Sequence, residues 1–267
     1  MTVPADLSQR PIDYSRLGPA RGSRLLVVGG CGGIGRRLVE AALATDLKVA
    51  VFDLPHVLES HGPPAGVLAI PVDATDETAV TAAFAALDRN WNGLEGLVNL
   101  AGFTNARVPM EMIGPDEFDS IHAASLRGTY LVARAVLPRL RAAGGGAIVH
   151  TASGLATRVL PGFAPYAAAK AGVIALTKAI AVENAPAIRA NTIAPTATDT
   201  EFLRGGTGRP PTHGGERHVD TNAAKLIPMG RIGVPEDMVG PILFLLGGAS
   251  RFMTGQTLYI NGGGLTP

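Results

Sequence analysis

The sequence Gly29-Gly30-Cys31-Gly32-Gly33-Ile34-Gly35 joins a short apolar segment, Arg24–Val28, to a segment with helical spacing at 36–45. Glycines remove the side chains that would keep a pyrophosphate away from the backbone amides, and the helix N-terminus adds positive partial charge. Tight turns also use glycine for backbone reasons alone, so the run is weak evidence in isolation. Its strand–turn–helix context nevertheless indicates a dinucleotide site with contacts at Gly29, Gly32, Gly33, Ile34 and Gly35.

Strand and helix signals alternate along the rest of the chain. Further strands are predicted at 48–52, 67–72, 96–100, 147–151, 189–193 and 257–260, and further helices at 76–88, 115–140, 165–184 and 235–247. This alternation predicts an α/β fold, a single-domain Rossmann-type doubly wound parallel sheet flanked by helices on both faces. We expect an N-terminal arm at 1–23, the domain at 24–264, and a substrate lid at about 196–227.

Composition excludes several classes of protein. The chain of 267 residues is 46% apolar and 17% charged, with a net charge of +1 and no block of basic residues, so we expect no nucleic-acid partner. Cys31 is the single cysteine, which predicts a reducing compartment and a cytoplasmic protein. No signal peptide, membrane partner or metal site is expected, because apolar runs are short and the histidines, including His213 and His218 in the lid, lack metal spacing.

Asp53 ends the second predicted strand, 18 residues after Gly35 and near the ~20-residue offset of an acid that binds a ribose. A carboxylate there accepts hydrogen bonds from ribose hydroxyls and repels a 2′-phosphate. The neighbouring positions where an NADP site places a basic residue hold Gly32 and Leu54. We therefore expect NAD as the cofactor. The alternative for Asp53 is a surface residue at a strand end. Asp73 is expected near the adenine, with a simple loop carboxylate as its alternative.

Tyr166 and Lys170 are four residues apart and share a helix face, and Ser153 lies thirteen residues before the tyrosine. A tyrosine with a pKa of ~10 is a poor base at neutral pH. A positive charge at about 4 Å contributes roughly 4 kcal/mol at an effective dielectric near 20, which is about three pKa units. Lys170 is therefore expected to bring the phenolate within reach, and Ser153 to orient the substrate oxygen. Packing of the tyrosine and helix capping by the serine are the alternatives.

Taken together, these segments resemble the short-chain dehydrogenase/reductase family over residues 24–264. The matching motifs are Gly29-x-x-x-Gly33-Ile34-Gly35, Asn99-Leu100-Ala101-Gly102, Ser153, Tyr166-x-x-x-Lys170, Arg189-Ala190-Asn191-Thr192-Ile193-Ala194-Pro195, and Gly255-Gln256 with Asn261-Gly262-Gly263. The resemblance implies Tyr166 as catalytic base, Lys170 as its activator and ribose ligand, and Ser153 as substrate orienter. It also implies cofactor contacts at Asn99, Thr198 and Thr200, to which we add Leu54, Asp73, Ala74, Ala101, Gly102 and Pro195.

The resemblance further implies a homo-oligomer, a dimer or a tetramer. In this family the long helix and the Tyr166 helix pair with their copies, and five alanines of the latter would allow close approach: Ala167, Ala168, Ala169, Ala171 and Ala175.

Three positions depart from the family's pattern. Val28 stands where threonine usually precedes the first glycine, and Thr196 replaces the glycine that usually follows the proline. Ser125 occupies the place of an asparagine that completes the catalytic set and helps hold a water relay to the lysine. We include Ser125 among the catalytic residues, with its backbone carbonyl expected to do part of this work.

The sequence therefore predicts an oxidoreductase that transfers a hydride between NAD and a secondary alcohol or ketone. Two alternatives remain: an NADPH-dependent carbonyl reductase of the 3-oxoacyl type, and a non-catalytic NAD-binding sensor on the same fold. The substrate is expected to be a small molecule in a largely apolar pocket formed by Phe103, Thr104, Leu155, Phe163, Phe202 and Leu203.

Overall fold

The structure is a computed structural model that describes residues 16–207 and 223–265. Its strands are β1 (Arg24–Val28), β2 (Lys48–Asp53), β3 (Leu68–Pro71), β4 (Gly96–Asn99), β5 (Gly146–Thr151), β6 (Ile188–Pro195) and β7 (Thr257–Ile260). All neighbouring pairs are parallel, in the order β3-β2-β1-β4-β5-β6-β7. The chain thus winds outward from β1 in one direction and from β4 in the other, and the predicted doubly wound sheet is confirmed.

Helices cover both faces of this sheet. They are α1 (Gly33–Ala44), α2 (Pro55–His61), α3 (Glu77–Asn90), α4 (Pro115–His122), α5 (Gly128–Ala142), α6 (Ala164–Asn184) and α7 (Pro235–Leu246). Alternate residues of β1 point into different apolar layers. Leu26 and Val28 pack in the layer that contains α3 and α5, and Leu25 and Val27 in the layer that contains α1 and α7. Burial on both faces explains why β1 reads as a continuous apolar run.

The structure differs from two predicted helices and adds one that was not predicted. The first helix begins at Gly33, inside the glycine run, because the first turn of a helix tolerates glycine where a ligand must approach. The short helix α2, which begins with Pro55, was not predicted. The predicted helix at 115–140 is interrupted by a π-helical turn, Ala123–Arg127. Such a turn needs only a widened hydrogen-bond spacing, so the spacing of apolar residues does not reveal it.

Part of the predicted arm packs on the domain. The Arg16 guanidinium donates hydrogen bonds to the carbonyl oxygens of Pro19 and Thr45, and Gly18 lies against Leu243 of α7. Residues 1–15 of the arm lie outside the described residues, as do residues 208–222 of the predicted lid, with His213 and His218.

Helix α6 carries both Tyr166 and Lys170. Its 21 residues are long and apolar enough to cross a membrane by length and composition. More than half of its most apolar window, 56%, is buried inside the domain. Core helices of folded domains pass the same test, so α6 is weak evidence for a membrane span.

Candidate active site

A cavity of about 1030 Å³ opens at the carboxyl ends of the strands, between the segments that follow β1 and β4. Ligands of doubly wound sheets bind at this reversal of strand order. Most of the predicted site residues line the cavity: Gly29, Gly32, Gly33, Ile34, Gly35, Asp53, Leu54, Asp73, Ala74, Ala101, Gly102, Phe103, Thr104, Ser153, Leu155, Phe163, Tyr166, Lys170, Pro195, Thr198, Thr200, Phe202 and Leu203. Asn99 and Ser125 are buried behind its wall.

The glycine turn is packed too closely for side chains. Gly29 has a φ of 78°, a left-handed conformation that favours glycine. A Cβ on Gly35 would lie 2.2 Å from the Gly29 carbonyl oxygen, and one on Gly33 would lie 2.5 Å from Cγ2 of Thr200. Helix α1 therefore begins directly at the cavity, with first-turn amides that have no intrahelical acceptor. The segment that contains Thr200 folds onto this helix end.

Asp53 supports the glycine turn as well as lining the cavity. Its Oδ2 accepts a hydrogen bond from the backbone N–H of Cys31, and its Oδ1 accepts one from Leu54, both at 2.9 Å. Each carboxylate oxygen has two acceptor sites, so both oxygens retain capacity for ribose hydroxyls. The carboxylate thus serves the turn and is available to a ligand.

Asp73 is engaged within its own loop. Its Oδ1 accepts hydrogen bonds from the backbone N–H of Thr75 at 2.9 Å and from the Thr75 hydroxyl at 2.8 Å. The side chain is exposed and lines the cavity at the end of β3. The hydrogen bonds of Asp73 are therefore those of a simple loop carboxylate.

Asn99 has a different place from the one expected. Its side chain is 3% exposed, accepts a hydrogen bond from the Ala101 N–H at 3.0 Å, and donates one to the Thr129 hydroxyl at 3.2 Å. These bonds hold the segment 99–102, whose residues Ala101 and Gly102 line the cavity. Asn99 acts on the cavity wall through the backbone that follows it, because its own side chain points into the protein.

Ser153, Tyr166 and Lys170 meet at the end of β5 and are 8%, 6% and 3% exposed. The Lys170 Nζ donates a hydrogen bond to the Thr151 carbonyl at 2.8 Å and lies 5.7 Å from the centroid of the Tyr166 ring. The Ser153 Oγ accepts a hydrogen bond from the Leu155 N–H at 3.2 Å and caps the short helical turn Gly154–Ala156. Ser153 therefore caps a helical turn, as the alternative interpretation expected, and it also lies beside Tyr166.

The pKa values of these groups follow mainly from burial. Burial raises the pKa of Tyr166 well above its usual range, and a hydrogen bond with Ser153 partly offsets this increase. Burial also lowers the pKa of Lys170 to about 8. The causes of the Tyr166 shift are burial and the Ser153 hydrogen bond, so the lowering of the tyrosine pKa expected from Lys170 stays a prediction.

A layer of buried polar side chains lies beneath these residues; we call Asn99, Ser125, Thr129, His150 and Thr177 the polar layer. The His150 Nδ1 is 2.9 Å from the Thr177 hydroxyl, which itself donates to the Val173 carbonyl at 2.7 Å. The imidazole is therefore assigned as the Nδ1–H donor. Burial, with a smaller contribution from the charge of Lys170, lowers the pKa of His150 to about 3.

Ser125 lies in the π-helical turn at the edge of this polar layer. Its backbone carbonyl accepts a hydrogen bond from the Thr129 hydroxyl at 2.6 Å. A Cβ on Gly102 would lie 3.0 Å from the Ser125 Oγ and 3.5 Å from the Lys170 Nζ, so both groups converge on one glycine. The Ser125 Oγ and the His150 Nε2 have no hydrogen-bond partner among the described residues. The sequence analysis had not singled out His150, because a histidine within an apolar strand has no distinguishing spacing.

Several cavity residues were not predicted. Arg107, Arg158, Ile227, Asn261 and Leu265 also line it. Arg107 and Arg158 lie in loops after β4 and β5. Loops at the carboxyl ends of the strands border the cavity, so this position in the sequence could have identified both arginines. The other three come from the C-terminal part of the chain, which tertiary folding brings to the cavity.

The residues of the cavity fit a dinucleotide. The turn at Gly33 and Gly35 would be blocked by a Cβ, and the start of α1 offers unpaired amides at the cavity. Asp53 and Asp73 lie at the neighbouring ends of β2 and β3, where an adenosine half would extend from that helix start. The described residues contain no group of three or more potential metal-ligating side chains.

Comparisons with known proteins agree with this geometry. The family model described as Enoyl-(Acyl carrier protein) reductase matches residues 29–264. The chain is 32% identical to D-threitol dehydrogenase of Mycolicibacterium smegmatis, over 91% of this chain and 92% of that protein. It is 30% identical to NAD-dependent glycerol dehydrogenase of Listeria innocua, over 89% and 92%. The crystal structure of 3-ketoacyl-(acyl-carrier-protein) reductase from Brucella melitensis complexed with NADH has a TM-score of 0.81 at 29% identity, over 91% and 98%.

Proposed function

Because this chain belongs to the short-chain dehydrogenase/reductase family and is an oxidoreductase, we propose that it is NAD-dependent and interconverts a secondary alcohol and a ketone. The observation that supports this most strongly is the buried group of Ser153, Tyr166 and Lys170 on one wall of the cavity. An oxidised nicotinamide held in this cavity would supply the hydride acceptor for the carbinol carbon and a positive charge.

Tyr166 takes the proton from the substrate hydroxyl in the oxidative direction and returns it in the reductive one. Ser153 holds the substrate oxygen, and its hydrogen bond favours the phenolate form of Tyr166. Lys170, positioned by the Thr151 carbonyl, supplies positive charge beside the tyrosine and a donor for a ribose hydroxyl. Because burial raises the pKa of Tyr166, the base depends on these charges and hydrogen bonds acting together.

NAD is the cofactor that Asp53 favours over NADP. Its carboxylate stands at the end of β2 with free acceptor capacity, and a 2′-phosphate at that place would meet a negative charge. The Listeria innocua relative is named as NAD-dependent, which supports the same choice. An NADPH-dependent reductase of the 3-oxoacyl type is the second candidate. The structural likeness to the Brucella melitensis ketoacyl reductase favours its reaction type, whereas the NADH in that structure gives NADPH no support.

We further propose a cytoplasmic homotetramer, assembled in part through α6. Of the five alanines considered, Ala168, Ala171 and Ala175 lie on an exposed face of α6. Ala167 and Ala169 are buried within the domain, so we propose the pairing surface from the three exposed alanines alone. A small-residue face permits close approach of two helices.

The experiment that tests this function measures reduction of NAD and NADP by the purified protein across a panel of secondary alcohols, polyols and aromatic diols. Tyr166→Phe should abolish turnover, whereas Tyr130→Phe, which removes an exposed hydroxyl from α5, should retain it. Ketone reduction with NADH and NADPH completes the panel. Turnover that persists in Tyr166→Phe refutes the role of the tyrosine. Tight NAD binding without turnover in either direction favours the sensor.

A further inference from the structure

Two arginines occupy the substrate side of the cavity. Arg107 follows β4 by eight residues and Arg158 follows β5 by seven, on the segment between Ser153 and Tyr166. Both side chains are exposed to the open cavity rather than buried in the domain. Neither was assigned a role by the motifs of the sequence.

Among the residues that the structure describes, each guanidinium is anchored by a single hydrogen bond to a carbonyl. The Arg107 Nε donates to the Pro161 carbonyl at 3.3 Å, and the Arg158 Nη1 donates to the Gly264 carbonyl at 3.0 Å. Within residues 16–207 and 223–265, neither arginine forms an ion pair. A guanidinium carries five N–H donors, so most donors of both side chains remain available to a ligand.

The charges that line the cavity are separated. Its acidic residues, among those described, are Asp53 and Asp73, which follow β2 and β3. Arg107 and Arg158 follow β4 and β5. From β2 to β5 there are three strand spacings, about 14 Å in all. The substrate end of the cavity is therefore cationic, with no described carboxylate to neutralise it.

Much of the cavity wall around Tyr166 is apolar. Phe103, Leu155 and Phe202 pack with Tyr166, Leu160 and Phe163 also line the cavity, and Thr104 and Ser120 are polar members of the lining. An apolar wall next to two available guanidiniums suits a ligand with an uncharged body and an anionic group, because arginine binds carboxylate-type groups with paired hydrogen bonds.

We propose that Arg107 and Arg158 select a substrate that carries a carboxylate or a similar anionic group, joined through an apolar segment to the secondary alcohol or ketone that reacts. This inference rests on the proposed function and specifies its substrate class. Arg107 and Arg158 are specificity-determining residues, and they take no part in proton or hydride transfer.

The test compares substrates in matched pairs. Straight-chain hydroxy acids of increasing length, with the hydroxyl on a secondary carbon, are each assayed beside their methyl esters with both NAD and NADP. We expect kcat/KM for at least one acid to exceed that of its ester by about tenfold or more, as a charged hydrogen bond would give. The preference should shrink with added salt, because exposed charges are screened. Sulfonate and phosphate analogues of the best acid show which anion is preferred.

Variants then assign the preference to the two arginines. Arg107→Gln and Arg158→Gln should each lower kcat/KM for the acid by a larger factor than kcat/KM for the ester, and the double variant should abolish the difference. Arg89→Gln on the exposed end of α3 makes the same charge change outside the cavity and should have no effect. Esters that react as well as acids, or a preference that survives in the double variant, would overturn the inference alone. Absence of turnover for acids, esters and the neutral alcohol panel would instead refute the proposed function.

Discussion

His150 should make the protein sensitive to acid. The imidazole is completely buried on β5 and donates to Thr177, and burial lowers its pKa to about 3. In the unfolded chain a histidine has a pKa of about 6.5. The unfolded state therefore binds one more proton than the folded state between these two values, and stability falls as the pH decreases through that window. Above about pH 6.5 the neutral imidazole carries no such cost.

The magnitude follows from the two pKa values. Proton linkage at this one site costs about 2 kcal/mol of unfolding free energy at pH 5 relative to pH 8, and roughly 5 kcal/mol below pH 3. Other groups add to the acid sensitivity, among them Asp237, whose pKa is lowered to about 2 by its bonds with Arg231. They contribute equally to wild type and to His150→Gln, so the difference between the two proteins isolates His150.

The measurement is urea unfolding at pH 5 and pH 8, followed by the fluorescence of Trp91, the single tryptophan. Protein concentration is held constant because assembly also stabilises the folded state. His150→Gln should lose about 2 kcal/mol less than wild type between the two pH values, whatever its stability at pH 8. The exposed His61→Gln variant should behave as wild type. Equal pH dependence in wild type and His150→Gln would refute the reasoning.

Three further predictions concern the site. Asp53→Asn removes the charge and keeps an acceptor for the glycine turn, and it should lower kcat/KM with NAD by roughly 10- to 100-fold and raise the relative use of NADP. Initial rates with both cofactors measure this selectivity. An unchanged selectivity would mean that Asp53 only supports the turn. Ser153→Ala removes a hydrogen bond that lowers the pKa of Tyr166, so the pH midpoint of alcohol oxidation should rise by about one unit; a fixed midpoint with reduced kcat would leave Ser153 with substrate orientation alone. Gly35→Ala places a Cβ 2.2 Å from a carbonyl oxygen and should weaken NADH binding at least tenfold in a fluorescence titration, whereas Gly240→Ala, whose Cβ meets nothing within 4 Å, should bind normally.

Local spacing was sufficient for much of the site. The glycine turn needed only a strand before it and a helix after it, and both are contiguous in the chain. Tyr166 and Lys170 share a face of α6 because of their four-residue separation. Asp53 reaches the cavity because parallel strands β1 and β2 end side by side. In each case the geometry follows from one element or from two adjacent ones.

Long-range packing decided the remainder. Asn99 lies behind the cavity wall because its partner Thr129 belongs to a segment thirty residues further along the chain, and the same Thr129 hydroxyl bonds the backbone of Ser125. The π-helical turn that carries Ser125 replaces part of a continuous predicted helix, and its apolar pattern is the same in both cases.

The sequence by itself determined the doubly wound sheet, the dinucleotide turn and the identity of the candidate catalytic group, because these depend on periodicity and on spacing within single β–α units. The tertiary structure alone decided the direction of the Tyr166 pKa, the burial of His150 and the cationic end of the cavity with Arg107 and Arg158. These properties depend on desolvation and on charges contributed by distant segments, and neither quantity exists until the chain has folded.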